Sequence, residues 1–284
     1  MLRRLGRFAG IWRLGGARVA AAAWRCRCQK PVLEFLSAGG RISSSAVAYG
    51  DTVVPRSPFT GRELAGVGYL RRLVDSGWHV SNEDGTFLIS QPGGVRFAAD
   101  GAGLVDAMLM VMERFVDDEY SWIETAGQVV IDVGASIGDS VVYFARKGAA
   151  FVYGFEPETR TFEAAQKNLR INQIHNASVT QVAVTGDGVS GARFSDILRQ
   201  SMAEHPGCLI ACKIDCEGCE FDLIAPNAID ADVMLPVQQV MIEFHHRSPE
   251  PLRRTLEALG FDVVTEAGAP GVGWLRARRP RITR

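Results

Sequence analysis

The stretch VVIDVGASIGDS occupies residues 129–140 and places a chain of small residues directly after an apolar run. The apolar residues 129–133 predict a strand. The glycines and small residues that follow allow the backbone to turn tightly and to approach a ligand. The helix predicted next, near residues 137–147, offers unpaired N–H groups and the positive end of its dipole. The stretch therefore predicts a strand–turn–helix unit whose turn lies against a bound ligand.

The second predicted strand, residues 151–155, ends in the sequence GFEPE, which puts Glu156 just past its carboxyl end. Open α/β sheets bind ligands at that edge, at the switch point beside the first strand. An acidic residue there can accept hydrogen bonds from two neighbouring ribose hydroxyls. The turn and Glu156 together predict a nucleoside-binding site. The alternative is a plain strand end followed by a helix with Pro157 in its first turn.

From residue 129 onward the sequence alternates between strand and helix patterns. The predicted strands are 129–133, 151–155, 178–184, 209–214, 239–244, 261–265 and 272–277. The predicted helices are 138–147, 159–171, 193–204, 219–225 and 249–259. Such alternation is typical of a three-layer α/β fold with a mostly parallel sheet, here of seven strands. No helix fits between the last two strands, so they should form an antiparallel pair at one edge.

The chain divides into a leader, one domain and a tail. Residues 1–63 predict a basic leader and linker that is disordered or serves targeting. Residues 64–275 predict the domain, with a small cap of short strands and helices in 64–128 and a cofactor-binding core in 129–275. Residues 276–284 form a basic tail. The fold class is therefore α/β, with a small N-terminal cap.

The leader is rich in arginine and contains no acid before residue 34. This composition resembles a mitochondrial or plastid transit peptide, whereas the alternative is a disordered basic extension on a cytoplasmic protein. Eight of the 31 Lys and Arg residues lie in residues 1–33 and five in the last nine, so the middle carries a charge near −14. We expect no nucleic-acid partner, since phosphate binding needs basic surface. No apolar run reaches the roughly 20 residues of a membrane span.

The loop has small residues at 134, 136 and 138, a Gly-x-Ser-x-Gly spacing that differs from the dinucleotide fingerprint Gly-x-Gly-x-x-Gly. It resembles the first motif of class I methyltransferases, which bind S-adenosylmethionine. The segments DVGASIGD, GFEPE, KIDCEGCE and IEFHH, in this order and spacing, resemble the FkbM-type methyltransferase family. The resemblance covers roughly residues 95–265 and includes DDEY at 117–120. It implies a Rossmann-like class I methyltransferase fold.

The resemblance also implies a site. The family usually methylates a hydroxyl oxygen of a small molecule or sugar, with S-adenosylmethionine as cofactor. The residues expected at the cofactor are Asp132, Gly134, Ala135, Ser136, Gly138, Glu156 and Tyr120. The residues expected at the acceptor, and candidates for catalysis, are Asp215, Glu217, Glu243 and His245. No metal is expected.

Several of these residues have a structural alternative. Lys213 and Asp215 alternate on one face of a strand, so they also fit a buried ion pair. His245 lies at a strand end, where a histidine often has a structural role. Cys212, Cys216 and Cys219 predict reduced core thiols, because two abutting pairs do not match zinc knuckles.

The sequence thus predicts an S-adenosylmethionine-dependent O-methyltransferase. The alternatives are a nicotinamide-dependent oxidoreductase on a similar sheet, a cofactor-binding protein of the same fold without turnover, and a thiol-redox protein using Cys216 and Cys219. The acceptor and the oligomeric state do not follow from the sequence, because fold and family do not fix the substrate.

Overall fold

The computed structural model describes residues 2–92, 94–268 and 271–280, without the side chains of Leu2 and Arg62. The chain forms two compact units, Met1–Glu119 and Tyr120–Arg284. The boundary lies nine residues before the predicted end of the cap at residue 128, so the segment that leads into the first core strand belongs to the second unit. Among the described residues, no helix combines the length and apolar character that a membrane crossing requires.

The first unit contains four helices and two small antiparallel sheets within its described residues. Its elements are α1 (Leu2–Arg25), α2 (Gln29–Ser37), β1 (Arg41–Ile42), β2 (Ala46–Tyr49), β3 (Thr52–Pro55), α3 (Val67–Asp75), β4 (His79–Glu83), β5 (Thr86–Ser90), β6 (Arg96–Ala99) and α4 (Leu104–Phe115). The sheets have the orders β1-β2-β3 and β4-β5-β6. The turn between β4 and β5 contains Asp84 and Gly85, both with positive φ, as the Asp-Gly pair predicts.

Residues 1–63 differ from the disordered leader and linker that their composition predicts. Their described part forms two helices and three strands, with a kink in α1 at Gly16. Val32 and Phe35 of α2 are fully buried, and the ring of Phe35 lies 5.6 Å from that of Tyr49 in β2. Burial of apolar side chains favours folding of this segment, and a prediction from composition alone does not include that contribution. A targeting role for this segment stays a prediction.

If α2 is part of the folded unit, replacing its buried aromatic ring must destabilise the protein. We expect Phe35→Ala to lower the free energy of unfolding by about 3–5 kcal/mol, the usual cost of deleting a buried phenyl ring. Chemical denaturation followed by circular dichroism measures this loss. Glu34→Ala, an exposed change on the same helix, is the control. Equal stability of both variants would show that residues 1–63 do not belong to the folded unit.

The second unit is built on one seven-stranded sheet. Its elements are β7 (Val129–Val133), α5 (Asp139–Arg146), β8 (Phe151–Phe155), α6 (Thr159–Ile171), β9 (Ala177–Thr180), β10 (Val184–Thr185), β11 (Ala192–Arg193), α7 (Phe194–Glu204), β12 (Ile210–Ile214), α8 (Glu220–Leu223), β13 (Val237–His245), α9 (Glu250–Ala258), β14 (Asp262–Ala267) and β15 (Val272–Arg278). The strand order is β14-β15-β13-β12-β7-β8-β9. Every neighbouring pair from β13 to β9 is parallel, and β15 runs antiparallel to both β13 and β14.

The order and directions of these strands define the fold class. Counted along the chain within the sheet, the strands are arranged 3-2-1-4-5-7-6, and the order reverses beside β7. The central strands β7 and β12 are buried along their whole length, as expected for parallel strands covered on both faces. The chain therefore has a Rossmann-like class I methyltransferase fold, and the predicted antiparallel edge pair is confirmed.

Two predicted boundaries differ from the structure. The strand predicted over 178–184 ends at Thr180, whose carbonyl accepts the last ladder bond from the N–H of Glu156. Val184 then pairs with Ala192 in a separate two-stranded sheet. The tail predicted from residue 276 begins inside β15, because this strand extends to Arg278 where it pairs with Gln239 of β13.

Candidate functional site

The small-residue loop after β7 is held between the ends of the two neighbouring strands. The N–H groups of Gly134 and Ala135 both donate to the carbonyl of Phe155 in β8, at 3.0 Å. On the other side, a Cβ on Gly134 would collide with the carbonyl oxygen of Asp215. Gly134 also has a φ of 80°, which side chains rarely adopt. Glycine is therefore required at position 134 for both spatial and conformational reasons.

A buried ion pair lies beneath this loop. The Nζ of Lys213 in β12 is 3.0 Å from Oδ1 of Asp132 in β7 and donates to the carbonyl of Gly134 at 2.6 Å. The hydroxyl of Ser140 donates to the other oxygen of Asp132 at 2.5 Å. Burial raises the pKa of Asp132, while Lys213 and Ser140 oppose that shift. Asp132, one of the predicted cofactor residues, therefore contacts protein groups with both of its oxygens. It supports the loop through Lys213, which also binds the carbonyl of Gly134.

Glu156 lies where the sequence predicts it, at the carboxyl end of β8, and is largely buried. Its Oε2 accepts the N–H of Ser136 at 2.8 Å, and its Oε1 accepts the N–H of Glu158 at 2.9 Å. Ser136 has a φ of 44°, which turns its N–H toward this carboxylate. Glu156 therefore fixes the loop directly. A carboxylate has about four acceptor positions, so each oxygen keeps capacity for a further donor.

The ends of β12 and β13 bring three of the predicted acceptor-side residues together. One ligand atom each from Asp215, Glu217 and His245 lies within 4.8 Å of the others. The Nε2 of His245 is 3.8 Å from Oε2 of Glu217, and Oδ2 of Asp215 is 3.8 Å from Nζ of Lys213. His245 is buried, Asp215 is half-buried and Glu217 is exposed. We call these three residues the acidic–histidine cluster.

Glu220 is a residue of this region that the sequence reasoning missed. It is fully buried at the first position of α8, and its Oε1 lies 3.0 Å from Nδ1 of His245. The same oxygen accepts the N–H groups of Cys216 and Gly218, at 3.3 and 3.1 Å. An acid opening the apolar segment EFDLI was the signal that could have revealed it.

The charge of the cluster also affects His245. Burial lowers the pKa of its imidazole, but the hydrogen bond to Glu220 and the carboxylates of Glu217 and Asp215 outweigh burial. The net effect raises the pKa of His245 above its ordinary value. The carboxylates therefore favour a positive charge at this position.

Gly138 precedes α5 with a φ of 79°, and two further predicted residues, Glu243 and Tyr120, also lie outside the cluster. Glu243 is half-buried in β13 and pairs with Trp274 of β15. Tyr120 is fully buried and stacks on Phe144, with ring centroids 5.3 Å apart. The Nζ of Lys213 lies 5.9 Å from the Tyr120 ring. Tyr120 thus packs next to the buried ion pair, and its predicted contact with the cofactor stays a prediction.

The cysteines correct one expectation. Cys216 and Cys219 form a disulfide, with their Cα atoms 5.6 Å apart, whereas reduced thiols were predicted. The strand β12 ends at Ile214, so Cys216 belongs to the following loop and does not share a strand face with Cys212. Cys212 is a fully buried free thiol, and burial raises its pKa, as expected of a core residue.

Comparisons with known proteins find solved structures that are similar to this chain in fold. No protein-family model matches the chain, and no curated protein matches it. The fold is similar to a ribosomal protein L11 methylase from Lactobacillus delbrueckii subsp. bulgaricus, with 17% identity, coverage of 67% of this chain and 84% of the other, and a TM-score of 0.37.

Two further solved structures have comparable values. A magnesium protoporphyrin IX methyltransferase from Synechocystis PCC 6803, with bound SAM, has 14% identity, covers 63% of this chain and 85% of its own, and has a TM-score of 0.39. A SAM-dependent methyltransferase from Agrobacterium tumefaciens has 13% identity, 70% and 72% coverage, and a TM-score of 0.41. These scores carry no argument about activity, and the fold class rests on the strand order described above.

The buried ion pair makes a stability prediction. We expect Lys213→Met to lower the free energy of unfolding by about 3–5 kcal/mol, because the buried Asp132 loses its charge partner. The double variant Asp132→Asn, Lys213→Met should be more stable than Lys213→Met alone, since it removes the unpaired charge. Denaturant titration measures both, with the exposed Lys167→Met as control. A single variant as stable as the wild type would show that the pair does not hold the loop.

Proposed function

We propose that this protein is an S-adenosylmethionine-dependent methyltransferase of the FkbM type, which methylates a hydroxyl oxygen of a small molecule or sugar. The observation that carries the proposal is the alignment of three features along one sheet edge. Glu156 follows β8, the small-residue loop follows β7, and the acidic–histidine cluster follows β12 and β13. Ligands of open α/β sheets bind at this edge, where the strand order reverses.

The residues at this edge fit the cofactor. Gly134 lies so close to the carbonyl of Asp215 that a Cβ has no room, and the absence of a side chain there leaves the loop backbone open to a ligand. Glu156 is held by two backbone N–H groups and retains acceptor capacity for ribose hydroxyls. Asp215 and Glu217 supply negative charge that suits a sulfonium. We assign the nucleoside to Glu156 and the loop residues Ala135, Ser136 and Gly138, and the charged end to the cluster.

The bound cofactor would supply an electrophilic methyl group on a positive sulfur, and its carbon–sulfur bond would break, releasing a neutral thioether, as the bond to the acceptor oxygen forms. The chain's own task is to hold the acceptor in line with that methyl group and to receive its proton. Positioning of this kind accounts for a large part of many rate enhancements. We take Asp215 and a neutral His245 as the leading candidates to receive the proton, and Glu217 and Glu243, near the ends of β12 and β13, as further candidates.

The cofactor assignment predicts a binding order. We expect the protein to bind S-adenosylhomocysteine much more tightly than nicotinamide dinucleotides, measured by calorimetry. Glu156→Ala should weaken that binding by about 1.5–3 kcal/mol, the scale of hydrogen bonds to a charged group. Glu163→Ala, an exposed change on α6, is the matched control and should bind normally. Tighter binding of a nicotinamide dinucleotide would favour the oxidoreductase alternative.

The catalytic assignment predicts a separation of turnover from binding. Incubation with methyl-labelled S-adenosylmethionine and fractionated metabolites, followed by mass analysis, identifies the acceptor. On that acceptor, Asp215→Asn and His245→Ala should each lose about 10²–10⁴-fold in turnover while S-adenosylhomocysteine still binds. His246→Ala, a change at the exposed neighbouring histidine, is the control. Normal turnover in both variants would show that positioning alone drives the reaction.

A further inference from the structure

We propose that Asp215, Glu217 and His245 bind one divalent cation of the Mn²⁺ class. The sequence predicts no metal, so this site is an addition made by the tertiary structure. Its suggested role at the acceptor rests on the proposed function, whereas the binding of the cation itself does not. The three ligands come from two adjacent strand ends and are two carboxylates and an imidazole.

The spacing of the donor atoms fits such an ion. All three lie within 4.8 Å of one another, and the imidazole Nε2 is 3.8 Å from the Glu217 carboxylate. Bonds of roughly 2.0–2.2 Å put opposite ligand atoms of a first-row cation about 4–4.5 Å apart and adjacent ones about 3 Å apart, so the three donor atoms have to move closer together by about 1 Å when an ion binds. The side chain of Glu217 is 78% exposed and is free to rotate by the small amount needed.

The hydrogen bonding of the histidine gives a second indication. The side chain of His245 is only 6% exposed, and its Nδ1 is bonded to the fully buried carboxylate of Glu220. The carboxylate of Glu220 accepts a hydrogen bond from Nδ1–H, so that in the neutral form of the imidazole the lone pair lies on Nε2. That Nε2 makes no hydrogen bond to any residue in the described part of the chain, and it faces Glu217 across 3.8 Å. Metal-binding histidines are usually oriented by this kind of carboxylate partner.

The loop that carries Glu217 is held in place by the same carboxylate. Glu220 accepts the N–H groups of Cys216 and Gly218, and the Cys216–Cys219 disulfide encloses Glu217 between its two ends. Glu217 itself has a φ of 56°. One buried acid therefore fixes both the histidine and the loop. This arrangement pre-organises two of the three ligands before any cation binds.

The ligand set also limits the class of ion. Carboxylate oxygens suit Mg²⁺, Ca²⁺ and Mn²⁺, whereas imidazole suits later first-row metals, and Mn²⁺ accepts both. With the ion bound, Asp215 and His245 would hold the ion instead of accepting the proton, and a hydroxyl bound beside the ion would release its proton to water more readily. The cation would thereby select acceptors whose hydroxyl can reach it, and would make that oxygen a better nucleophile. The alternative is a protonated His245 that pairs with Glu217 and binds no metal.

The test uses the full-length protein and Mn²⁺ alone, without cofactor. We expect calorimetry and Mn²⁺ electron paramagnetic resonance to find one saturable site per chain. Glu217→Gln and His245→Gln should weaken Mn²⁺ binding by at least about tenfold, and Glu220→Gln by roughly 10–100-fold. In the wild type, nitrogen coupling to the bound Mn²⁺ should be visible, and it should vanish in His245→Gln. Asp222→Asn, an exposed acid on α8, should bind Mn²⁺ normally.

The proposal is overturned if Mn²⁺ does not saturate one site, or if Glu217→Gln binds it as the wild type does. Glu217 is exposed, so its variant should fold even if the buried variants do not. S-adenosylhomocysteine binding is measured on the same samples. Cofactor binding without Mn²⁺ binding would reject the cation and keep the proposed function. Mn²⁺ binding without cofactor binding would support the cation site and reject the proposed function.

Discussion

The site depends on the buried ammonium group of Lys213. This residue pairs in register with Asp132 on the neighbouring strand, so the two side chains meet between β12 and β7 at 3.0 Å. A charge taken out of water must be compensated, and here a carboxylate and the carbonyl of Gly134 do so. The bond to Gly134 fixes where the loop leaves the strand. The close approach of Gly134 to Asp215 and the position of Ser136 at Glu156 follow from that anchor.

The Asp132–Lys213 ion pair and the acidic surroundings of His245 are two different electrostatic environments. Lys213 pairs most closely with Asp132 and also lies 3.8 Å from Asp215, while Asp215, Glu217 and Glu220 together surround His245 with negative charge. These carboxylates repel one another at close range, and a positive charge that enters the site reduces the repulsion. A sulfonium cofactor and a divalent cation are both positive, and the proposed function and the proposed ion site thus draw on the same property. The pair beneath the loop keeps Asp132 from adding to this negative charge.

The correction to the cysteines follows from where a strand ends. A period-two pattern grouped Cys212 with Cys216, but the ladder between β12 and β7 stops at Ile214. The chain then turns, Glu217 takes a positive φ, and Cys216 meets Cys219. The correction to the leader has another cause: its composition is basic, but the spacing of Val32 and Phe35 allows one helix face to be buried.

The sequence by itself determined the sheet elements, the loop and Glu156, because strand–helix alternation and a small-residue turn are local patterns. Six of the seven predicted strands match the structure to within two residues at both ends, and Asp215, Glu217 and His245 were named from motifs that resemble a known family. Only the tertiary structure decided that these three side chains converge and that Glu220 orients His245. Those contacts join β12, β13 and α8, and residues up to 30 positions apart meet only when the strand order is fixed. Distance along the chain carries no signal for such pairs, so their chemistry becomes visible only in the folded sheet.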